Sequence, residues 1–238
     1  MPTRTLRKGI AGAALSATAL IGVSSVSAFA SMSHPSFSVA QQELEQQLAN
    51  RVTSLGHLAS DVTSAGSSLT ATHAAVLSAR ISAELANMNA LVAKVPNDTT
   101  NAQLNTDRAA MVRDNRVYAV MTPQVFETIA ADTYDAQINK LAADEPVLAA
   151  EVASLVGQPG SQTATRHYEE YLNRVGNEAT KLSNLIVSIL AQQPSSYPAN
   201  RGFFVSANHQ IRNAGLQIAN ANYDATVIAL ASGGYTGS

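Results

Sequence analysis

The 238-residue sequence has no cysteine and no tryptophan, few aromatic residues (5%) and few charges (13%). Without cysteine there are no disulfides, no thiolate metal ligands, no cysteine nucleophile and no lipid attachment to a cysteine. A charged fraction near half the usual quarter of residues, with no block of like charge, leaves no basic face for nucleic acid. Catalytic signatures are missing as well. There is no G-x-S-x-G, no G-x-x-x-x-G-K, no H-E-x-x-H and no S-x-x-K, since none of Lys8, Lys94, Lys140 and Lys181 follows a serine by three. None of the five histidines has an acid three residues before it, against the Glu-x-x-His pairs of di-metal bundles. The expectation is therefore a non-enzymatic chain with no catalytic, cofactor-binding or metal-binding residues.

What is present starts with a leader. Arg4, Arg7 and Lys8 precede an Ala-rich apolar stretch from Ile10 to Val26, and Ala28 and Ala30 flank Phe29 in an A-x-A-like cleavage pattern. The pattern predicts a secretory signal peptide over residues 1–30, cut near Ala30, with Arg4 and Arg7 not adjacent as a twin-arginine signal requires. Its removal takes three of the 15 Lys and Arg and none of the 17 Asp and Glu, so the net charge becomes −5. No second long apolar run follows, so no membrane span is expected after cleavage, and the predicted location is secreted or envelope-associated.

The remainder reads as all-α: long antiparallel helices in an elongated bundle or coiled-coil-like hairpins. A helical region over residues 31–157 is expected to pack as one bundle with a C-terminal hairpin over 158–232, with a flexible tail at 233–238. Leu44, Leu48, Val52, Leu55, Leu58 or Ala59, and Val62 mark the first helix, and Leu77, Ile81, Leu85, Met88, Val92 and Val95 the second. The third, about Asn101 to Met121, is poorly patterned. A fourth runs to about Val156, carrying Tyr134, Ile138, Leu141, Leu148, Val152 and Leu155, with a kink or new start expected at Pro146. Tyr168, Leu172, Val175, Ala179, Leu182, Ile186 and Ile189 alternate steps of four and three. Phe204, Ala207, Ile211, Ala214, Ile218, Ala221, Ala225 and Ile228 do the same, as coiled-coil seams do. Each helix of this hairpin would be roughly 35–45 Å long.

The run Val117–Met121 before Pro123 is too short to cross a membrane and has no strand to pair with. Val117, Tyr118, Val120, Met121 and Pro123 are expected to form a buried helix joint, with Thr122 as N-cap and Pro123 as first helical residue. "RVYAVMTPQVFETIAADTYDAQINKL" resembles a segment of uncharacterised secreted helical proteins of high-GC Gram-positive bacteria. The resemblance implies export and long helices and carries no activity.

Among polar groups, His57 and Asp61 share a helix face, too few for a metal. His73 and His209 read as surface residues. Asp132 and Asp135, beside Tyr134, are the one acid pair a hidden hydrolase can use. Glu170, Arg174, Glu178 and Lys181 form a ladder expected on the exposed side. "SSYPANRGFF" offers Tyr197, Arg201, Phe203 and Phe204 as an interaction tip, with a hydrophobic staple as the competing reading. The expected function is an exported scaffold or interaction protein whose partner is a protein or cell-wall component, with self-association through the seams. The alternatives are a carrier of a hydrophobic ligand in a cavity near Val117–Val125, and a hydrolase built on Asp132 and Asp135.

Overall fold

The computed structural model describes residues 36–233; the leader, its cleavage point and all of the tail but Gly233 lie outside them. The described residues are helical, without strands: α1 (Phe37–Ser64), α2 (Ala71–Lys94), α3 (Asn101–Ala109), α4 (Thr122–Ser154), α5 (Ser161–Ala191) and α6 (Arg201–Ser232). Among them no helix is long and apolar enough to cross a membrane. α4, α5 and α6, of 33, 31 and 32 residues, each extend roughly 45–50 Å at 1.5 Å per residue.

Contacts set the directions. Glu145 of α4 meets Tyr168 of α5, and Gln124 at the other end of α4 reaches the carbonyl of Ile189 at 2.8 Å. His167 and Arg174 early in α5 meet Asp224 late in α6. Both pairings are antiparallel. Gln41 donating to the carbonyl of Val95 makes α1 and α2 antiparallel too. The helix starts are chemically marked: Thr70 caps α2 through His73 N–H, and Thr100 with Gln103 forms a capping box on α3. Gly157 and Gly160, at φ of 80° and 91°, turn the chain between α4 and α5, where a Cβ would be strained.

Two hydrophobic cores result. Leu44, Leu48, Leu55, Leu77, Ile81, Met88, Leu104 and Met111 fill the first, which also takes Val117, Met121 and Val125. Ile138, Leu182, Ile186, Ile189, Ile211, Ile218 and Ile228 fill the second, together with Val120. The division falls at the start of α4, so α4 belongs with α5 and α6 in a three-helix bundle.

The joint between the cores is a π-turn, Val117–Met121, that runs directly into α4. Arg116 O accepts from both Val120 N–H (2.9 Å) and Met121 N–H (3.4 Å), and Val117 O accepts from Thr122 N–H and, at 3.1 Å, from its hydroxyl. The wider turn sends Val117 and Met121 into one core and Val120 into the other. Two expectations are corrected here. Tyr118 is not buried but 50% exposed, turned outward under the Arg51 guanidinium at 5.1 Å. The chain changes direction at Arg116, in the left-handed region at φ 39°, and not at Thr122, which continues a helix already begun. Pro123 is half-buried in the first turn of α4.

Pro146 lies within α4 without starting a new helix. It cannot donate to the carbonyl of Ala142, and the Tyr171 hydroxyl donates to the adjacent carbonyl of Leu141. Burial, with the carboxylates of Asp144 and Glu145 nearby, pushes the Tyr171 pKa up to about 12. α4 and α6 approach closely at Gly215, where a Cβ would stand 2.9 Å from the Tyr134 hydroxyl oxygen. Gly215→Ala is expected to cost about 1 kcal/mol net, because overpacking outweighs a helix-propensity gain of about 1 kcal/mol. In a Tyr134→Phe background the same change should be neutral or stabilising; urea unfolding midpoints measure both.

Candidate functional site

The seam of α5 is not the one its apolar residues suggest. Ala164, His167, Tyr171, Val175, Glu178, Leu182, Leu185, Ile186 and Ile189 are buried, whereas Leu172 is exposed. On α6 the expected residues are buried or nearly so, but Asp224 takes the place expected of Ala225. Polar residues therefore stand inside the α5–α6 interface, and they face one another.

His167 Nδ1 lies 2.8 Å from Asp224 Oδ1, and Arg174 Nε donates to Asp224 Oδ2 at 3.0 Å. The Arg174 guanidinium also reaches Gln217 (3.0 Å) and Glu170 (3.4 Å), and Arg166 reaches Glu170 (2.9 Å). Arg166 also stands 3.0 Å from His167 Nε2. A guanidinium only donates, so Nε2 accepts and the imidazole proton sits on Nδ1, pointing at Asp224. Two carboxylates, two guanidiniums and a neutral imidazole make a balanced set, with Asp224 almost wholly buried. The expectation that the Glu170–Lys181 ladder lies on the exposed side holds for Lys181 and fails at Glu178 and Arg174. Glu178 is buried and accepts from Lys181 at 2.7 Å, and Arg174 turns across the interface.

His167, Glu170 and Asp224 present donor atoms within 4.8 Å of one another, a spacing that suits a divalent cation. Both carboxylates, however, already hold guanidinium groups, and Nε2 is turned to Arg166. A cation would have to displace two fixed positive charges, so these residues fit an ion-pair network better than a metal site. Beside the network an open cleft of 350 Å³ runs along α5 and α6, lined by Glu170, Asn173, Arg174, Asn177, Lys181 and Gln217. A second of 210 Å³ adjoins it at Glu178 and Lys181, with His209 on its wall and Leu182 and Leu185 among its lining.

Comparison with protein-family models, curated proteins and solved structures finds no match to this chain.

The remaining candidates are placed as follows. Asp132 and Asp135 have separate partners. Asp132 is buried and accepts from the Thr70 N–H at 2.8 Å, with His73 Nδ1 at 2.9 Å, while half-buried Asp135 accepts from Asn139. His73, expected as a surface residue, thus fastens the start of α2 to α4. His57 is exposed and Asp61 half-buried, and His209 is exposed. At the expected tip, Phe204 is buried, and Tyr197 and Phe203 pack against the second core. Phe203 and Phe204 meet edge to face at 5.4 Å, and Arg116 lies 4.2 Å over the Tyr197 ring. Only Arg201 of the four is exposed, so the tip closes the bundle end.

Sequence reading missed His167, Asp224, Gln124 and Glu127. Asp224 fits the spacing in principle: 221→224→228 steps by three and four as readily as 221→225→228 does. Gln124 and Glu127, also buried, lie on α4 beside the end of α5; Gln124 donates to the carbonyls of Ile189 and Gln192. Burial raises Glu127 to about 8 and Glu84 to about 7. A hydrogen bond to Glu145 holds the Tyr168 hydroxyl above its ordinary range.

Proposed function

We propose that this chain is an exported, non-enzymatic helical scaffold or interaction protein of the cell envelope or extracellular space. The observation that carries the reading is the use made of its buried acid–base groups. His73 with Asp132, and His167 with Asp224 and Arg174, each join one helix to another. Groups that elsewhere perform proton transfer here satisfy each other, which leaves the outer faces of the helices as the working surface. Those faces are weakly charged and, apart from exposed apolar residues such as Leu216, Tyr223 and Leu230 on α6, largely polar, compatible with contact to a protein or to cell-wall glycan.

A carrier of a hydrophobic ligand has less support. Val117, Val120, Met121 and Val125 are at most 1% exposed, and the clefts described above lie between α5 and α6.

The test is fractionation of an expressing Gram-positive host, with intact mass of the recovered chain and identification of what is bound to it. Processing near Ala30 and recovery outside the cytoplasm with a bound protein or glycan is the expected result. An unprocessed cytoplasmic chain would remove the export part. A hydrolytic activity lost in an Asp132→Asn variant that still folds would remove the non-enzymatic part.

A further inference from the structure

We propose that the outer face of α6 is a homodimer interface, two copies pairing antiparallel about a two-fold axis through Tyr223. The proposal rests on the reading of the chain as an interaction protein and names a second copy as the occupant of one face.

Leu216, Tyr223 and Leu230 recur every seven residues on α6 and are 64%, 62% and 58% exposed. They form a ridge of about 21 Å at helical rise. The sevenfold recurrence is that of a coiled-coil seam, yet this ridge is a second one, beside the seam already buried against α4 and α5. Charge is missing from it. From Asn213 to Ser232 the sole formally charged residue is Asp224, which is buried and paired with Arg174. A helix face turned permanently to water ordinarily carries charges to match its apolar side. The His167 ring meets the Tyr223 ring edge-on at 5.8 Å, so the central aromatic residue is braced from within, as interface anchors tend to be.

The spacing is symmetric about position 223. An interface that is its own partner requires i to meet j and j to meet i. Antiparallel pairing sets Leu216 against Leu230 of the partner subunit, and Ala219 against Val227 of the partner subunit, each twice. A parallel pair would also match like with like, but Arg212 lies one turn before Leu216 on the same ridge. Parallel pairing would press two Arg212 guanidiniums together, whereas antiparallel pairing sends them to opposite ends. The ridge with its neighbours offers on the order of 500 Å² per copy, or about 1,000 Å² together, the lower bound for a specific interface. An interface of that size lies at the weak, transient end of specific association, so the test is run at high concentration.

The cysteine-free chain makes the test direct. With the chain as recovered from expressing cells at about 100 µM, where a dissociation constant of about 10 µM or tighter leaves mostly dimer, light scattering should give twice the mass of the processed chain. Leu216→Lys with Leu230→Lys should halve that mass with unchanged far-UV circular dichroism. Tyr223→Cys, on the axis, should cross-link alone with a short bismaleimide. Leu216→Cys should cross-link strongly only when mixed with Leu230→Cys. Val187→Cys, equally exposed on α5, is the control. A monomeric mass at that concentration overturns the proposal. So does cross-linking of Val187→Cys matching that of Tyr223→Cys, or of Leu216→Cys alone matching the mixture. A monomer that is still exported and bound to the envelope would defeat the dimer and leave the proposed function standing; a dimer retained unprocessed in the cytoplasm would do the reverse.

Discussion

Asp224→Ala should lower the unfolding free energy by about 3–5 kcal/mol, the cost of removing one partner from a buried ion pair. The carboxylate holds both His167 and Arg174, and its side chain is 2% exposed. Its loss leaves a guanidinium and an imidazole N–H facing a methyl group. At about 2–4 °C per kcal/mol for a chain of this size, the melting temperature should fall by roughly 10 °C. Arg166→Ala breaks only the exposed pair with Glu170 and one donor to His167, and should cost under about 1 kcal/mol. Arg174→Met combined with Asp224→Ala should cost well under the sum of the singles, because the double variant strands fewer charges. Additive costs would mean that Asp224 and Arg174 do not act as a pair. A loss below about 1 kcal/mol for Asp224→Ala would mean that water reaches the carboxylate.

The ion network also explains how far the fold can be read from sequence. On α6 large and small apolar residues alternate in steps of three and four, and that seam is legible directly from Phe204 to Ala221 and again at Ile228, with Asp224 in place of Ala225 between them. On α5 the same rule misleads. Tyr168 and Leu172 continue the pattern of Val175 and Leu182, but the buried positions are His167 and Tyr171, one residue earlier. Hydropathy cannot rank a histidine above a leucine for burial. Only its partner, 57 residues away on another helix, makes the buried histidine favourable, and pairings across helices are invisible to a pattern that runs along one.

The joint was legible as a joint but not in its geometry. Five apolar residues before a proline signal a buried crossing, and Val117, Val120 and Met121 are buried there. The turn itself depends on Arg116 adopting a left-handed conformation, for which glycine or asparagine is the usual marker. A π-turn then shifts the phase, so Tyr118 faces solvent although its neighbours do not. Likewise "SSYPANRGFF" has the composition of a recognition loop, and its aromatics instead close the end of a bundle. Composition identifies residues that seek contact without saying whether the contact is internal.

Stability should also fall as pH rises from 4.5 to about 8, and Glu127 should account for most of the loss. Its side chain is buried, one oxygen has no hydrogen-bond partner, and burial lifts it from 4.5 to about 8. Below pH 4.5 both folded and unfolded chains hold the proton, and the contribution is fully present. Between pH 4.5 and 8 the unfolded chain releases the proton while the folded chain retains it, so stability declines as pH rises; above 8 the decline stops. Each unit corresponds to at most about 1.4 kcal/mol, and relaxation of water around the opened carboxylate reduces the total to roughly 2 kcal/mol. Glu84, lifted to about 7 by the same cause, adds a decline of the same sign that ends one unit lower. Glu127→Gln keeps the shape and removes the titration. In that variant the fall between pH 7 and 8 should vanish while the fall below pH 7 persists. Urea midpoints taken at half-unit intervals from pH 5 to 9 separate the two, and a wild-type profile that is flat from 7 to 8 would show that Glu127 is already ionised in the folded chain.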